Sequence, residues 1–148
     1  MPHLIQTMTS PSGPVLDVLI NVSRPRHDAL VKAGVSIPLP IPARLLVDTG
    51  ASCTVLDKTI IEKLGLVPTG SVPIHTSSTG SIGHSCNQFD VSLVIIGASG
   101  GAIYSNSSLA IVESDFSTHG IHGLLGRDLL QKAILTYHGF AEIFTLSF

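Results

Sequence analysis

The stretch Leu45 to Leu56, LLVDTGASCTVL, contains the features that decide the fold. Residues 43–47, ARLLV, are typical of a short buried strand, and Asp48 follows at the end of that strand. Thr49 and Gly50 predict a tight turn, because glycine accepts backbone shapes that a Cβ hinders. An Asp-Thr-Gly triplet alone is common as a simple Asx turn. The apolar residues on both sides indicate a low-dielectric setting, which favours a functional rather than a structural carboxylate.

The composition predicts one domain with a buried interface. At 148 residues the chain suits a single domain, and a domain of this size buries roughly 70% of its unfolded surface. Charged residues make up only 12% of the chain and hydrophobic residues 44%, whereas about 25% of an ordinary soluble domain is charged. This surplus of apolar side chains predicts contact with another chain. We expect residues 1–14 to be a flexible arm and residues 15–148 to form the domain.

Charge and cysteine usage limit the partners and the compartment. The net charge is -2 and the basic residues are scattered, which excludes nucleic acid as the main partner. The longest apolar stretch is too short and too interrupted to cross a bilayer. The opening residues lack the pattern of a secretory signal, and two cysteines, Cys53 and Cys86, fit a reducing compartment. We therefore expect a cytoplasmic protein with no membrane partner.

Most of the remaining sequence predicts strands. Val15 to Ser23 is rich in β-branched residues, while Arg24 to Pro42 contains four prolines and predicts an irregular connection. Val72 to Ile96 predicts a long hairpin, since apolar runs flank a polar centre rich in serine and glycine. Further strands are predicted at Ala102 to Val112, Ala133 to Tyr137 and Ala141 to Phe148, and short helices at Asp57 to Leu64 and Gly126 to Ala133.

Three of these segments together resemble a known family. LLVDTGAS at Leu45 to Ser52 resembles the active-site loop of the retropepsin-like aspartic peptidases, including their standalone prokaryotic branch. GLLGRDLL at Gly123 to Leu130 is similar to the segment of two apolar residues, Gly and Arg that leads into the family's C-terminal helix. The Val72 to Ile96 hairpin is similar to the family's flap. The resemblance implies a mainly β fold: a closed retropepsin-like acid-protease barrel with one or two short helices and one active-site loop per chain.

The same resemblance implies roles for individual residues. Asp48 would be the catalytic carboxylate, Thr49 would grip the loop of a second subunit, and Gly50 would present its backbone to substrate. Ala51 and Ser52 complete the active-site loop. The implied flap residues are Thr79, Gly80, Ser81 and Gly83, and the implied supports of the loop are Gly126 and Arg127.

Ser52 marks a departure from the family. Viral members often have an acidic residue at this position, and that residue pairs with the arginine of the second segment. Because this chain has Ser52 instead, Arg127 needs another partner. Asp128 of its own helix and a backbone carbonyl are both open as that partner.

The chain contains a single Asp-Thr-Gly triplet, and this predicts a homodimer. Two aspartates that share one proton can activate a water and polarise a peptide carbonyl, so the second carboxylate must come from another copy. The function predicted is an aspartic endopeptidase acting on polypeptides without a cofactor or metal. The alternative is a catalytically weak or silent module of the same fold that binds peptides or supports assembly.

Two other chemistries fit the sequence less well. Gly97 to Gly101, GASGG, has the spacing of a serine-hydrolase elbow, with Asp115 and His119 following in the order of a triad. An elbow needs a helix after its serine, whereas a strand is predicted there, which favours a hairpin turn. A metal site built from His119, His122 and either cysteine is disfavoured, because no paired ligand spacing recurs.

Overall fold

The computed structural model describes residues 1–9, 11–75 and 83–148, and strands dominate it. The strands are β1 (His3–Thr7), β2 (Val15–Val22), β3 (Ile41–Val47), β4 (Val55–Asp57), β5 (Gly70–Ile74), β6 (His84–Ile96), β7 (Ala102–Ser114), β8 (Gly123–Leu125), β9 (Ile134–His138) and β10 (Ile143–Ser147). The helices are α1 (Arg24–Ala33), α2 (Lys58–Lys63) and α3 (Arg127–Leu130).

Six strands close into a barrel, which confirms the predicted fold class. Their order is β2-β3-β8-β4-β7-β6, and β6 returns to pair with β2. The β3–β8 and β4–β7 pairs are parallel and the other ladders are antiparallel. Side chains alternate along each strand, so one set fills the barrel interior. Its fully buried members include Leu16, Ile20, Leu45, Leu56, Leu93, Ile95, Ile111 and Leu125.

The connection between β2 and β3 differs from the prediction. Residues 24–33 form α1, although the four prolines indicated an irregular path. Pro25 lies in the first turn of the helix, where its missing amide proton has no intrahelical acceptor in any case. Gly34, with φ 67°, ends the helix in the left-handed conformation. No residue of α1 is buried, so the helix lies on the outside of the barrel.

The first residues also differ from the flexible arm that the sequence predicted. β1 pairs with β10 from His3↔Ser147 to Thr7↔Ile143, in a three-stranded sheet of order β1-β10-β9. Leu4 and Met8 are buried, with 2% and 6% of their surface exposed. The segment is therefore packed against the body of the protein.

After β3 the elements follow the predicted order, with the short strands β4 and β8 in addition. Asp57 caps α2 by accepting a hydrogen bond from the Thr59 amide, as the sequence indicated. The second predicted helix is shorter than expected, since α3 covers only Arg127–Leu130, and β9 and β10 follow it. Within the residues that the structure describes, no helix is long and apolar enough to cross a membrane.

Candidate active site

Asp48 lies in a turn that follows β3 directly. Its amide donates to the Leu125 carbonyl of β8 (3.0 Å), which fixes the start of the turn. The Gly50 amide donates to Asp48 Oδ1 at 2.8 Å, so the carboxylate is held by the backbone of its own loop. A Cβ on Gly50 would lie 3.0 Å from that oxygen, a tight approach that would displace the carboxylate. Asp48 is half-buried, whereas Thr49 and Gly50 are exposed.

Arg127 forms three hydrogen bonds to the backbone of this loop. Its Nη1 donates to the carbonyls of Thr49 (2.7 Å) and Gly50 (3.1 Å), and its amide donates to the Ala51 carbonyl (2.9 Å). The partner that the sequence left open is therefore a pair of carbonyls. A guanidinium suits this task because it presents several donors in a fixed plane.

Asp128 has a different partner, Thr54, which sequence reasoning did not single out. Thr54 donates from its amide to Oδ2 and from its hydroxyl to Oδ1 of Asp128, both at 2.8 Å. The same hydroxyl accepts from the Gly126 amide at 3.2 Å. Thr54 is fully buried, so these bonds join the active-site loop to α3 in a shielded place.

Gly126 lets α3 approach the loop closely. A Cβ at this position would lie 2.4 Å from both the carbonyl carbon and the carbonyl oxygen of Cys53. Only glycine fits without moving the backbone. The two segments that the sequence paired by resemblance, at residues 45–52 and 123–130, are thus in direct contact.

A cleft opens beside Asp48 and consists of two adjoining cavities. The first has a volume of about 440 Å³, and the second about 290 Å³. They share Val55, Ile74 and Leu124. The first is also lined by Asp48, Gly50, Ala51, Ser52, Cys53 and His75, and the second by His84, Cys86, Val112, Glu113, Ser114 and Phe116.

Cys53 contributes an uncharged thiol to the first cavity. Burial raises the pKa of this thiol, and the negative charge of Asp128 raises it further, against a hydrogen bond with Ser52 that lowers it. A thiol that stays protonated is a poor nucleophile and a poor metal ligand. Cys53 therefore forms an uncharged part of the cleft wall.

The structure brings the loop residues 48–52 together with Gly126 and Arg127. Gly83, at the base of the predicted flap, lies against the ring of His75. Thr79, Gly80 and Ser81 lie outside the described residues, so their assignment to a flap stays a prediction.

The residues of the serine-hydrolase and metal-site alternatives do not form a common site. Gly97 to Gly101 form the turn between β6 and β7, closed by a bond from the Gly97 amide to the Gly101 carbonyl (2.8 Å), and a strand follows Ser99. Asp115 accepts from the Ser117 amide, and the His119 ring packs edge-on against Phe116 at 5.9 Å. Across residues 1–9, 11–75 and 83–148, no three His, Cys, Asp or Glu side chains are grouped to hold a metal.

The fold and the loop are those of the retropepsin-like class. A family model described as aspartyl protease matches residues 39–129, more than half of the chain, so the chain belongs to that family. Among solved structures it is similar to a retropepsin-like aspartic protease from Rickettsia conorii, with 16% identity and a TM-score of 0.59 over 97% of this chain and 89% of that chain. This likeness shows the fold alone.

Two further structures have lower TM-scores. The EIAV protease complexed with the inhibitor HBY-793 is 22% identical, with a TM-score of 0.44 over 86% of this chain and 93% of that chain. The retroviral protease-like domain of Ddi1 from Leishmania major is 12% identical, with a TM-score of 0.40 over 85% of this chain and 82% of that chain. No curated protein matches the chain.

Proposed function

We propose that this chain is an aspartic endopeptidase that hydrolyses peptide bonds as a homodimer, with Asp48 as its catalytic residue. The observation that carries the proposal is the turn at residues 48–50, which holds a single, half-buried carboxylate, Asp48. Asp48 is the one acidic side chain among the described residues that line the 440 Å³ cavity. A second carboxylate is needed for this chemistry, and a second copy of the same loop supplies it under two-fold symmetry.

The proposed reaction divides the work between two Asp48 carboxyl groups that share one proton. The ionised group takes a proton from a water molecule, and the oxygen of that water attacks the peptide carbonyl carbon. The protonated group donates a hydrogen bond to the carbonyl oxygen, which gains charge during the attack. The carboxyl group that took the proton from water then passes it to the leaving amine, and no covalent intermediate with the enzyme forms.

The position of Asp48 supports this arrangement. Thr49 and Gly50 are exposed in the single chain, so the tip of the loop is free to meet its counterpart. The contacts of Arg127 with the loop carbonyls and the bond between buried Thr54 and half-buried Asp128 fix the loop without covering Asp48. The carboxylate is thus preorganised without being covered, as electrostatic catalysis requires.

The three-stranded sheet β1-β10-β9 offers the surface for a second copy. None of its strands contains Asp, Glu, Lys or Arg. One of its faces buries Leu4, Phe144 and Leu146, while Ile5 (56%) and Ile134 (59%) are exposed on the other. β9 is also an unpaired edge within the described sheet. Exposed apolar side chains on an uncharged sheet are typical of an interface.

The test is cleavage of a diverse peptide pool by the purified protein, with products identified by mass spectrometry. We expect cleavage that is fastest in the acidic to mildly acidic range, because the working state loses its shared proton at higher pH. Asp48→Asn should lower kcat/KM by at least about 10²-fold, since an amide can neither share the proton nor activate water. Asp17→Asn is the matched control, because Asp17 lies on β2 outside the cleft cavities that contain Asp48.

Two outcomes would contradict the proposal. Asp48→Asn that retains most of the activity, in a sample free of other proteases, would exclude this carboxylate from the chemistry. A wild-type dimer that binds peptides but cleaves none would instead favour the silent binding or assembly module.

A further inference from the structure

Each cavity of the cleft is lined by one carboxylate and one histidine among the described residues. Among the described residues that line the first cavity, Asp48 is the acid and His75 is the one side chain able to take a positive charge. The second cavity contains His84 together with Glu113, which accepts a hydrogen bond from Asn87 Nδ2 (2.9 Å). No Lys or Arg lines either cavity in the described part of the chain.

His75 is placed over the first cavity by its neighbours on the hairpin. It follows β5 directly, and Ile74 pairs with His84 on β6. A Cβ on Gly83 would lie 3.1 Å from His75 Cε1 and 3.2 Å from Nε2, so the glycine leaves room for the ring. The imidazole is exposed to solvent and reaches the same space as Asp48.

The polar lining of this cavity other than Asp48 and His75 is neutral. The loop that contains Asp48 also contributes Ala51, Ser52 and the protonated Cys53 thiol. A substrate carboxylate entering this space would meet one negative group, Asp48, and one group able to offset it, His75. In the second cavity Glu113 is likewise accompanied by one histidine, His84, so what distinguishes His75 is that it shares its cavity with the Asp48 carboxylate.

We propose that His75 is a specificity-determining residue that selects substrates with an Asp or Glu side chain close to the cleaved bond. The inference rests on the proposed peptidase function and deepens it. A protonated imidazole donates a charge-assisted hydrogen bond to a carboxylate, which is stronger than a neutral bond, so His75 can bind an acidic side chain of the substrate in the cavity that contains Asp48.

The test uses pairs of peptides that differ only by Glu or Gln beside a bond that the enzyme cleaves. The kcat/KM ratio of Glu to Gln peptide is measured at about pH 5 and about pH 7.5, on either side of ordinary imidazole titration. We expect a ratio of about tenfold at the lower pH in the wild type, and of about one in His75→Gln. His75→Lys should keep the preference at both pH values. His27→Gln, on α1, is the control and should match the wild type.

The outcomes separate this inference from the proposed function. If His75→Gln keeps the wild-type ratio, or the wild type shows no preference, the specificity role is wrong while the peptidase function stands. If the wild type cleaves no peptide of the diverse pool from which the pairs are chosen, both proposals are overturned. Binding of the same peptides to the Asp48→Asn variant gives a readout without turnover, and there too the Glu peptide should bind more tightly unless His75 is replaced.

Discussion

At the scale of single residues, Asp57 shows how one buried carboxylate joins distant parts of the barrel. It accepts hydrogen bonds from the Thr59 amide (2.9 Å), the Thr59 hydroxyl (2.6 Å) and the Phe116 amide (2.7 Å). Burial acts to raise the pKa of this carboxyl, but the three bonds together outweigh it and hold the pKa below its usual value. The residue thereby ties α2 to the segment that follows β7.

This lowered pKa leads to a prediction about acid stability. The unfolded state binds the proton more readily, so the stabilisation is present above the unfolded pKa of about 3.9 and is lost as pH falls through the lower folded pKa. Asp57→Asn should lower the free energy of unfolding by about 1–3 kcal/mol at neutral pH, and by less below about pH 3. Urea unfolding at both pH values measures the difference.

Asp115→Asn is the matched control for Asp57. The pKa of Asp115 is also lowered, by hydrogen bonds from Ser117, but its side chain is fully exposed. Solvent screens such a group, so we expect no measurable loss of stability. Equal unfolding free energies for Asp57→Asn and the wild type at neutral pH would show that the three bonds contribute nothing.

At the scale of elements, α1 is an addition to the barrel that the core does not need. None of its residues is buried, and the β2–β3 ladder already reaches Ile20↔Ile41 without it. Replacing residues 24–39 with Asn-Gly should shorten the connection to a hairpin loop. We expect a loss of less than about 1 kcal/mol in the free energy of unfolding and unchanged peptide cleavage.

The control for this change is deletion of residues 1–9, which removes β1. That segment buries Leu4 and Met8 and pairs with β10, so its loss should destabilise the protein by several kcal/mol, of the order of two large-to-small core substitutions. If the α1 replacement unfolds the protein to the same degree, the helix has a structural role that its exposure does not reveal.

The elements that could be predicted from the sequence are those with local signals. The turn at Asp48, the capped helix after Asp57 and the long strands each depend on neighbouring residues. β1 was missed because its partner β10 lies at the other end of the chain. α1 was not predicted because Pro25 belongs to a segment with four prolines, although a proline in the first helical turn is tolerated.

The site follows the same division. Asp48 and Gly50 were found from adjacent residues, whereas the supports of the loop depend on contacts across more than 70 positions. Arg127 reaches the carbonyls of Thr49 and Gly50 over separations of 78 and 77 residues, and Thr54 reaches Asp128 over 74. No periodicity or spacing encodes such pairs. The resemblance identified the two segments but not which atoms join them.

At the scale of the whole molecule, the single chain has two incomplete surfaces. The loop at residues 48–50 exposes one carboxylate where the proposed chemistry needs two, and the sheet β1-β10-β9 exposes apolar side chains without any Asp, Glu, Lys or Arg in its strands. A single two-fold axis would pair both the loop and the sheet with their counterparts, since each copy offers the same surfaces to the other. Activity and association should therefore depend on each other.

We predict that a charged side chain on the exposed face of this sheet dissociates the dimer and abolishes cleavage at the same time. Ile134 is 59% exposed, so Ile134→Glu should leave the monomer folded while placing two carboxylates in an apolar interface. Val31→Glu on α1 is the matched control, because Val31 is 57% exposed but lies outside the sheet. Sedimentation should find a dimer for the wild type and for Val31→Glu, and a monomer without activity for Ile134→Glu.

Dilution of the wild type should lower its specific activity in parallel with dissociation. An Ile134→Glu protein that stays dimeric would place the interface elsewhere, and a monomer with full activity would refute the shared site.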